Sequence, residues 1–535
     1  MDNRGKWSRL AAPSAALLLA VAFHAAMARG AGVSTDSIIF LDAAGNLASK
    51  GSLWVTVYGQ DIPLTHFPPF YPVLLAGAGT LLGMSMEAAA RLLGALAFGA
   101  NAFLCGVLAR RFGASRRTAV YAASLFACSE YAIAVHAKVL TEPLFLTFVF
   151  GTLLCAARYL ETERWRFLWM AGCLAALACL QRYAGLALVA STALALAFAG
   201  KRSGFKRRVL SAAAFSAAAL LPLALWMVRN MALGGSAAHR RLAFHPLDVP
   251  HLRQLVRSVM FVFLPDAALE RLKTADFAVL ASAAVAAAFL AGSLAFILWR
   301  RYGRVLRGVP GWVFERAFSP SAFPAASFLL VYPAFLAVSI SFADYTTPLS
   351  YRIMLPEFAV AVPFLAWLLS DAAVSAGRGP RRVLRFSAAL FLAFYVVRAV
   401  PLLAGIHRDG LEYSSVAWRD SKLVEFVRAL PPGVPVYTNG QAGIQYQTGR
   451  TAKRIPPAYL DGRPNPALAA ELEEMSGILR GKRGVVVFFN TVPSSLLPTP
   501  VELSERLGLK TILKAPDGVA LAPEASEEAA RGGKP

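Results

Sequence analysis

Five charged residues stand at the predicted outer ends of apolar helices: the carboxylates Asp36 and Glu142, and the arginines Arg182, Arg229 and Arg352. Arginine presents a planar fork of donors that matches phosphate oxygens, and it keeps its charge at a membrane boundary. A carboxylate beside a reacting carbon can take a proton from an acceptor hydroxyl or amine. The set therefore predicts group transfer from a lipid phosphate, with fixed cations stabilising the phosphate leaving group.

Two further cations, His66 and Lys138, are weaker candidates for the same phosphate site. Structural roles are the alternatives for the main candidates. Asp36 would then cap the helix that follows it, Glu142 would be an acid at a helix start, and Arg182 would extend its charge to the membrane interface. The sequence has no P-loop, GxGxxG or HExxH motif, which argues against an ATPase, a dehydrogenase or a zinc protease.

The elements that must position these residues are membrane helices. Of the 535 residues, 57% are hydrophobic and only 16% are charged, and apolar runs of membrane-spanning length recur up to about residue 404. The net charge of +23 comes mostly from short Lys and Arg clusters between these runs. The positive-inside rule explains such clusters, so the charge indicates membrane topology rather than a nucleic-acid partner.

The segment Phe70–Met84 leaves two topologies open, because it is apolar but short and rich in glycine. Treating it as an interfacial helix inside an outer loop over 29–87 places the basic clusters in the cytoplasm. The prediction is then a membrane domain over 1–404 with about eleven transmembrane helices. The predicted spans are 10–28, 88–109, 118–135, 143–158, 166–181, 183–199, 209–230, 274–298, 324–342, 353–370 and 386–404.

The composition changes after residue 404. SKLVEFVRAL and NPALAAELEEMSGILRG predict helices, GVPVYTNG and KRGVVVFFN predict strands, and ILKAPDGVALA predicts a hairpin with a Pro-Asp-Gly turn. The segment 405–523 is therefore predicted to be a small α/β domain on the extracytoplasmic face. The tail over 524–535 is predicted to be disordered.

Short motifs in chain order resemble one enzyme family. They are DSIIFLDAAGNLASKG, HFPPFYP, RLLGALAFGANAFLCGVLARRFG, TEPLF, QRYAGL, LWMVRN, YRIMLP and VYTNGQAGIQYQTGR. The arrangement resembles the GT-C-type glycosyltransferases that use polyprenyl-phosphate sugars, in the bacterial family 39-like branch. This branch is related to protein O-mannosyltransferases and to the aminoarabinose transferase of lipid A. No WWDYG-like motif is present, which argues against an oligosaccharyltransferase.

The resemblance implies a role for four residues. Asp36 matches the acid of the first outer loop, as base or acceptor-orienting group, and Glu142 matches the acid of the second. Arg182 and Arg352 match basic positions that face the donor phosphate. Ser37 stands where many members have Glu, which weakens the expectation of a divalent metal. Phe67 stands where some members have a phosphate-contacting Lys, with His66 one position earlier.

The sequence thus predicts an all-α, GT-C-type membrane bundle that moves one sugar from a polyprenyl-phosphate donor to an acceptor, with inversion. The acceptor is a lipid, a glycan or a protein, and membrane lipids are the surrounding partners. No cofactor is expected, no metal ligand is assigned, and the site faces the periplasm of an inner membrane. A transporter or flippase of lipid-linked glycans is the alternative, and a non-catalytic membrane scaffold ranks last.

Overall fold

The computed structural model describes residues 3–57, 60–199, 204–238, 240, 242–264, 315–345, 347–375, 378–460, 463–492, 494 and 496–524. The predicted span 274–298 lies outside these residues, as does the predicted tail beyond Glu524. The chain divides into two compact units. Unit 1 comprises Met1–Ala26, Leu64–Leu74 and Leu92–Ala404, and unit 2 comprises Met27–Pro63, Leu75–Arg91 and Gly405–Pro535.

Helices account for most of the described chain up to residue 409. They are α1 (Asn3–Ala26), α2 (Thr35–Lys50), α3 (Phe70–Leu82), α4 (Met86–Arg111), α5 (Arg116–Ala127), α6 (Glu130–His136), α7 (Glu142–Thr162), α8 (Trp165–Gln181), α9 (Gly185–Phe198), α10 (Phe205–Gly234), α11 (Val249–Phe261), α12 (Phe323–Phe342), α13 (Tyr351–Ser375) and α14 (Arg378–Asp409). Among the described helices, α4, α7, α10, α12, α13 and α14 are long and apolar enough to cross a membrane. The chain is a multi-pass membrane protein.

Every predicted span except 274–298 falls on a helix, but one of them is broken. The predicted span 118–135 falls on two helices, since α5 and α6 meet at an angle of 56°, and that this bent pair crosses the membrane stays a prediction. Buried Ser129 takes an extended backbone conformation with ψ of 125° and so interrupts the helical hydrogen-bond ladder. Helices α1, α8 and α9 have shorter apolar stretches, so their crossing of the membrane stays a prediction.

Helix α3 falls on the segment that left the topology open. It has 13 residues. At 1.5 Å per residue such a helix is about 20 Å long, less than the ~30 Å of a bilayer's hydrocarbon core. The length favours the interfacial interpretation over a spanning one.

Small residues let the helices of unit 1 approach closely, as is common in membrane bundles. A Cβ atom at Gly99 of α4 would lie 2.3 Å from the carbonyl oxygen of Ala16 in α1. At Gly172 of α8, a Cβ atom would lie 3.0 Å from the methyl group of Ala218 in α10. The Ala- and Gly-rich composition of these helices therefore serves their packing.

In unit 2, α2 is the helix that Asp36 was expected either to cap or to precede. The helix is capped by Ser34, whose backbone amide donates to Ser37 Oγ at 2.9 Å, and it ends at Gly51 with φ of 67°. A two-stranded hairpin follows, made of β1 (Trp54–Val57) and β2 (Gln60–Pro63). The alternative in which Asp36 is the N-cap is wrong, because Ser34 occupies that position.

Asp42 ties the hairpin to α2. Its Oδ2 accepts the backbone amide of Thr56, and Asn46 donates its side-chain amide to Trp54 O at 3.0 Å. Burial raises the pKa of the Asp42 carboxyl, the Thr56 amide lowers it, and Asp61 raises it, with a net direction above the ordinary 3.8. The folded state therefore holds this proton more tightly than the unfolded state does.

This pKa shift makes the junction of α2 and β1 pH-dependent. Because folding binds the Asp42 proton, stability is highest below 3.8 and falls as pH rises through the folded pKa. We expect the opening free energy of 54–57 from hydrogen exchange, corrected for intrinsic rates, to be larger near pH 4 than near pH 7. Asp42→Asn should remove this dependence, because an amide side chain does not titrate. The junction itself should persist, since the carbonyl oxygen of Asn still accepts the Thr56 amide. An unchanged dependence in the variant would assign it to another group.

The rest of unit 2 is built on a sheet. Its helices are α15 (Val416–Arg419), α16 (Lys422–Ala429), α17 (Gln441–Thr448), α18 (Leu468–Gly481) and α19 (Pro500–Leu507), and its strands are β3 (Val436–Thr438), β4 (Lys453–Arg454), β5 (Tyr459–Leu460), β6 (Arg463–Pro464), β7 (Val485–Phe489), β8 (Leu509–Ala515) and β9 (Gly518–Pro523). Five strands form the sheet in the order β4-β3-β7-β9-β8, with β3, β4 and β7 parallel and β9 antiparallel to β7 and β8.

The sheet carries an apolar cluster on each face. Val485 and Phe489 pack with α16 and α17 on one side, while Val486 and Phe488 pack with α18 and α19 on the other. All five residues of β7 are buried, as expected of a central strand covered on both faces. The two helices, two strands and the hairpin predicted beyond residue 404 are confirmed. The boundary at 404/405 and an extracytoplasmic location stay predictions.

Candidate active site

A buried carboxylate with two arginines lies in unit 1. Arg182 Nη1 is 2.8 Å from Glu142 Oε1, and Arg352 donates its Nε–H to the same oxygen. The Glu142 side chain is only 1% exposed, whereas those of Arg182 and Arg352 are 20% and 28% exposed. One carboxylate and two guanidiniums leave the cluster with a net charge of +1, and its accessible part is cationic.

The local chain fixes both ends of the Glu142–Arg182 contact. Helix α8 ends at Gln181, Arg182 is extended with φ of −153°, and α9 begins at Gly185. A Cβ atom at Gly185 would lie 2.6 Å from the backbone nitrogen of Cys179, so the tight turn requires glycine. Gln181 donates to Thr141 O at 3.0 Å, and Arg182 donates to Thr141 Oγ1 at 2.7 Å. The turn is thus fastened to the residue that precedes Glu142.

Arg352 sits in an unusual place for a cation. It is the second residue of α13, where the helix dipole is positive and disfavours positive charge. The carboxylate of Glu142, which is 210 positions earlier in the sequence, offsets this unfavourable interaction by pairing with Arg352. A guanidinium held at a helix N-terminus adds its charge to the positive end of the dipole, which is a favourable setting for an anion.

A buried polar network lies directly below Glu142. The side-chain amide of Asn101 donates to Pro143 O at 2.8 Å, and its oxygen accepts the Thr147 hydroxyl at 2.8 Å. His136 Nδ1 lies 2.7 Å from Ala132 O, so it must donate, and Nε2 then accepts from Asn101 at 3.0 Å. One neutral tautomer of His136 satisfies every contact. This network anchors the first turn of α7 and so positions Glu142.

The other predicted phosphate-binding residues have different settings. Arg229 donates to Leu64 O at 2.7 Å and lies over the Trp226 ring at 4.4 Å. Its neighbour Asn230 donates to Thr65 O at 3.3 Å, so the pair holds the chain just before His66. His66 is exposed, with its ring 4.6 Å from that of Phe67. Arg229 thus contacts the backbone two residues before His66, and its predicted contact with the phosphate stays a prediction.

Lys138 and Asp36 complete the predicted set. Lys138 is half-buried between α6 and α7 in unit 1. Asp36 is half-buried in the first turn of α2 in unit 2. The structure therefore brings Glu142, Arg182 and Arg352 together as a cluster, and the roles of all seven residues stay predictions.

One charged pair was missed by the sequence analysis. Glu130 of α6 forms an ion pair with Arg398 of α14, which is 8% exposed and donates to Phe261 O at 2.8 Å. Both residues fell inside predicted spans, where an ionisable side chain is costly unless it is paired. Their presence inside apolar spans was therefore the signal in the sequence that each of them has a partner. The arginine lies at the carboxyl end of α11, where a cation complements the helix dipole.

Metal ligands were not assigned from the sequence. In the parts of the chain that the structure describes, no three His, Cys, Asp or Glu side chains are placed to hold a metal ion together.

Part of the chain is similar to a known protein family. Residues 66–226 match the family model described as dolichyl-phosphate-mannose-protein mannosyltransferase, a range that contains Glu142 and Arg182. No curated protein sequence matches the chain.

Two solved structures of ArnT from Cupriavidus metallidurans share the fold along nearly the whole length. The apo structure aligns with a TM-score of 0.56 and 13% identity over 98% of this chain and 99% of that one. The structure bound to undecaprenyl phosphate aligns with a TM-score of 0.54 and 14% identity over 97% and 98%. The chain therefore shares the fold of ArnT along nearly its whole length, and over residues 66–226 it is similar to the dolichyl-phosphate-mannose-protein mannosyltransferase family.

Proposed function

We propose that the chain transfers a sugar from a polyprenyl-phosphate donor to an acceptor on the extracytoplasmic face of the membrane. The observation that carries the proposal is the cluster of Glu142, Arg182 and Arg352, whose net charge of +1 is accessible through its arginines. Two converging guanidiniums match the oxygens of a phosphate in geometry and in charge. The ArnT structure that contains undecaprenyl phosphate supports a lipid-linked donor for this fold.

In the proposed mechanism, Arg182 and Arg352 bind the donor phosphate. The bond between the sugar's anomeric carbon and the phosphate oxygen breaks, and its electron pair leaves with the polyprenyl phosphate. The two cations stabilise the charge that develops on that oxygen. Glu142 holds the guanidiniums in place and balances one of their charges, so that they are oriented before the donor arrives.

The acceptor forms the new bond to the anomeric carbon from the opposite side, which inverts its configuration. Asp36 takes the proton that the acceptor hydroxyl or amine loses, or orients that group for attack. The acceptor is a lipid, a glycan or a protein. The reaction balances without redox chemistry, and the roles given to the chain's own residues require no metal.

The proposal includes a topology. About eleven helices would cross a bacterial inner membrane, with α3 in the interface and the basic loops in the cytoplasm. The cluster, Asp36 and the α/β segment 405–523 would then face the periplasm. The α/β segment would select or retain the acceptor.

The first experiment uses the purified protein in membrane vesicles that are supplied with radiolabelled polyprenyl-phosphate sugars and an extract of acceptors. We expect label to leave the polyprenyl phosphate and to appear covalently on an acceptor. Heat-inactivated protein is the control for spontaneous transfer. Label that crosses the bilayer while still attached to its lipid would instead establish the transporter alternative and overturn the proposal.

A further inference from the structure

Unit 2 contains a groove that the glycosyl-transfer proposal does not use. It has a volume of about 950 Å³ and lies where the strands β3 and β4 begin and just before β7. We call it the basic groove, and its charged lining residues are Arg428, Arg450, Lys453, Arg454 and Lys482. Its lining residues include no Asp or Glu.

Two of the five cations have structural duties. Arg450 donates from Nη1 to Val427 O at 2.7 Å and to Leu430 O at 2.8 Å, which secures the end of α16. Arg428 donates to Gln447 O at 3.1 Å, near the end of α17. These contacts join two helix ends and explain why the arginines are there without any ligand.

The remaining three cations lie at the surface, and Lys453 Nζ is 5.7 Å from the centre of the Tyr437 ring. Lys453, Arg454 and Lys482 are exposed, and none forms an ion pair with a carboxylate among the described residues. Lys453 and Arg454 belong to the edge strand β4, where positive charge discourages pairing with another chain's strand. Lys482 is the C-cap residue of α18, where a cation complements the helix dipole, and it lines the same groove.

Helix dipoles do not cancel the charge of the groove. Three helices, α16, α17 and α18, end at its rim, and each helix end contributes about −0.5 of a charge. Their sum of roughly −1.5 is much smaller than the five positive charges of the lining. The groove thus keeps a strong positive potential and attracts anions.

Part of the lining of the groove is apolar. Its apolar residues include Leu430, Val434, Pro435 and Ile478, all of them half-buried. A binding site of this kind combines flat apolar contact with a few placed polar groups. Sugar rings present C–H faces that pack on apolar side chains, and charged substituents on the rings would meet the cations.

We propose that the basic groove binds an anionic saccharide, one that carries carboxylate or phosphate groups on its sugar rings. The inference rests on the proposed function in one respect, since a glycosyltransferase that acts on a glycan needs a place to hold it. The groove would recognise the charged glycan portion of the acceptor and so restrict which acceptors are used.

The test measures binding by the full chain in nanodiscs of neutral lipid, without any donor. The probes are tetragalacturonate, the neutral maltotetraose and inorganic pyrophosphate. We expect tetragalacturonate to bind at least about tenfold more tightly than either of the others, and its affinity to fall as salt is added. Pyrophosphate binding as tightly as the saccharide would show a plain phosphate site and overturn the proposal, as would absence of tetragalacturonate binding.

Two variants with equal charge loss locate the site. Lys453→Ala/Arg454→Ala should weaken tetragalacturonate binding about tenfold, the loss expected for two surface charge contacts. Arg506→Ala/Lys514→Ala removes the same charge at α19 and at β8, the opposite edge of the sheet, and should change affinity less than twofold. Equal losses in both variants would show non-specific attraction and overturn the proposal.

The binding assay separates this inference from the proposed function. Tetragalacturonate binding in the groove together with no sugar transfer from any donor would keep the groove and reject the transferase mechanism. Sugar transfer together with no binding in the groove would keep the transferase mechanism and reject the saccharide site. Unchanged thermal unfolding of both variants is the check that the sheet is intact.

Discussion

Replacing Glu142 by Gln is expected to abolish sugar transfer and to destabilise unit 1. The Glu142 side chain is 1% exposed and is the shared partner of Arg182 and Arg352. Without its charge, two guanidiniums would face a neutral amide, and the net charge of the cluster would rise from +1 to +2. Breaking a buried ion pair by removing one partner costs about 3–5 kcal/mol. Thermal unfolding and transfer of label, both in detergent, measure the two effects.

A double variant separates folding from catalysis. Glu142→Gln combined with Arg352→Gln returns the cluster to a net charge of +1, so we expect stability to recover in part. Transfer should remain absent, because one phosphate-binding guanidinium is missing. Recovery of transfer in the double variant would show that Arg352 does not bind the donor. A single Glu142→Gln variant with normal stability would contradict the buried ion pair itself.

Replacing Asp36 by Asn is expected to lower the turnover number by about 10²- to 10⁴-fold, the usual contribution of a general base. The fold should be preserved, because the cap of α2 is made by Ser34 and Ser37 rather than by Asp36. The KM for the donor should change little, since the proposed donor contacts are those of Arg182 and Arg352. Initial rates at several donor concentrations separate the two parameters.

Ser34→Ala is the matched control for Asp36→Asn. It removes the capping side chain and should cost about 1 kcal/mol of stability, but it leaves the acid in place. We expect near-normal transfer from this variant and almost none from Asp36→Asn. The opposite order would mean that the first turn of α2 matters for its shape and that Asp36 has no chemical role.

The sequence by itself determined the elements of this protein. The apolar runs predicted most of the helices from α1 to α14, with α5 and α6 as one span, because the pattern of a helix repeats within a few turns of the chain. No predicted span covered α11. The turn signals in the tail predicted the β8–β9 hairpin, and the alternation of helix and strand predicted an α/β arrangement. Residues that are close together in the sequence determine these helices, strands and turns, so a short stretch of sequence is enough to predict them.

The tertiary structure decided which side chains meet. Glu142 and Arg352 are 210 residues apart, and both were candidates, but only packing shows that Arg182 shares the same carboxylate oxygen. The hydrogen bond from Arg229 to Leu64 O likewise joins residues that are 165 positions apart, and no local pattern indicates it.

The buried polar contacts were the least predictable part. Asn101 stood within the predicted span 88–109 and His136 just after the span 118–135, yet they bond to each other and anchor the turn that carries Glu142. The predicted spans 118–135 and 386–404 contained Glu130 and Arg398, which form an ion pair across two helices. A polar side chain in an apolar run indicates that it needs a partner, because burying it unpaired costs free energy. Long-range packing decides which residue becomes that partner, and no local pattern shows it.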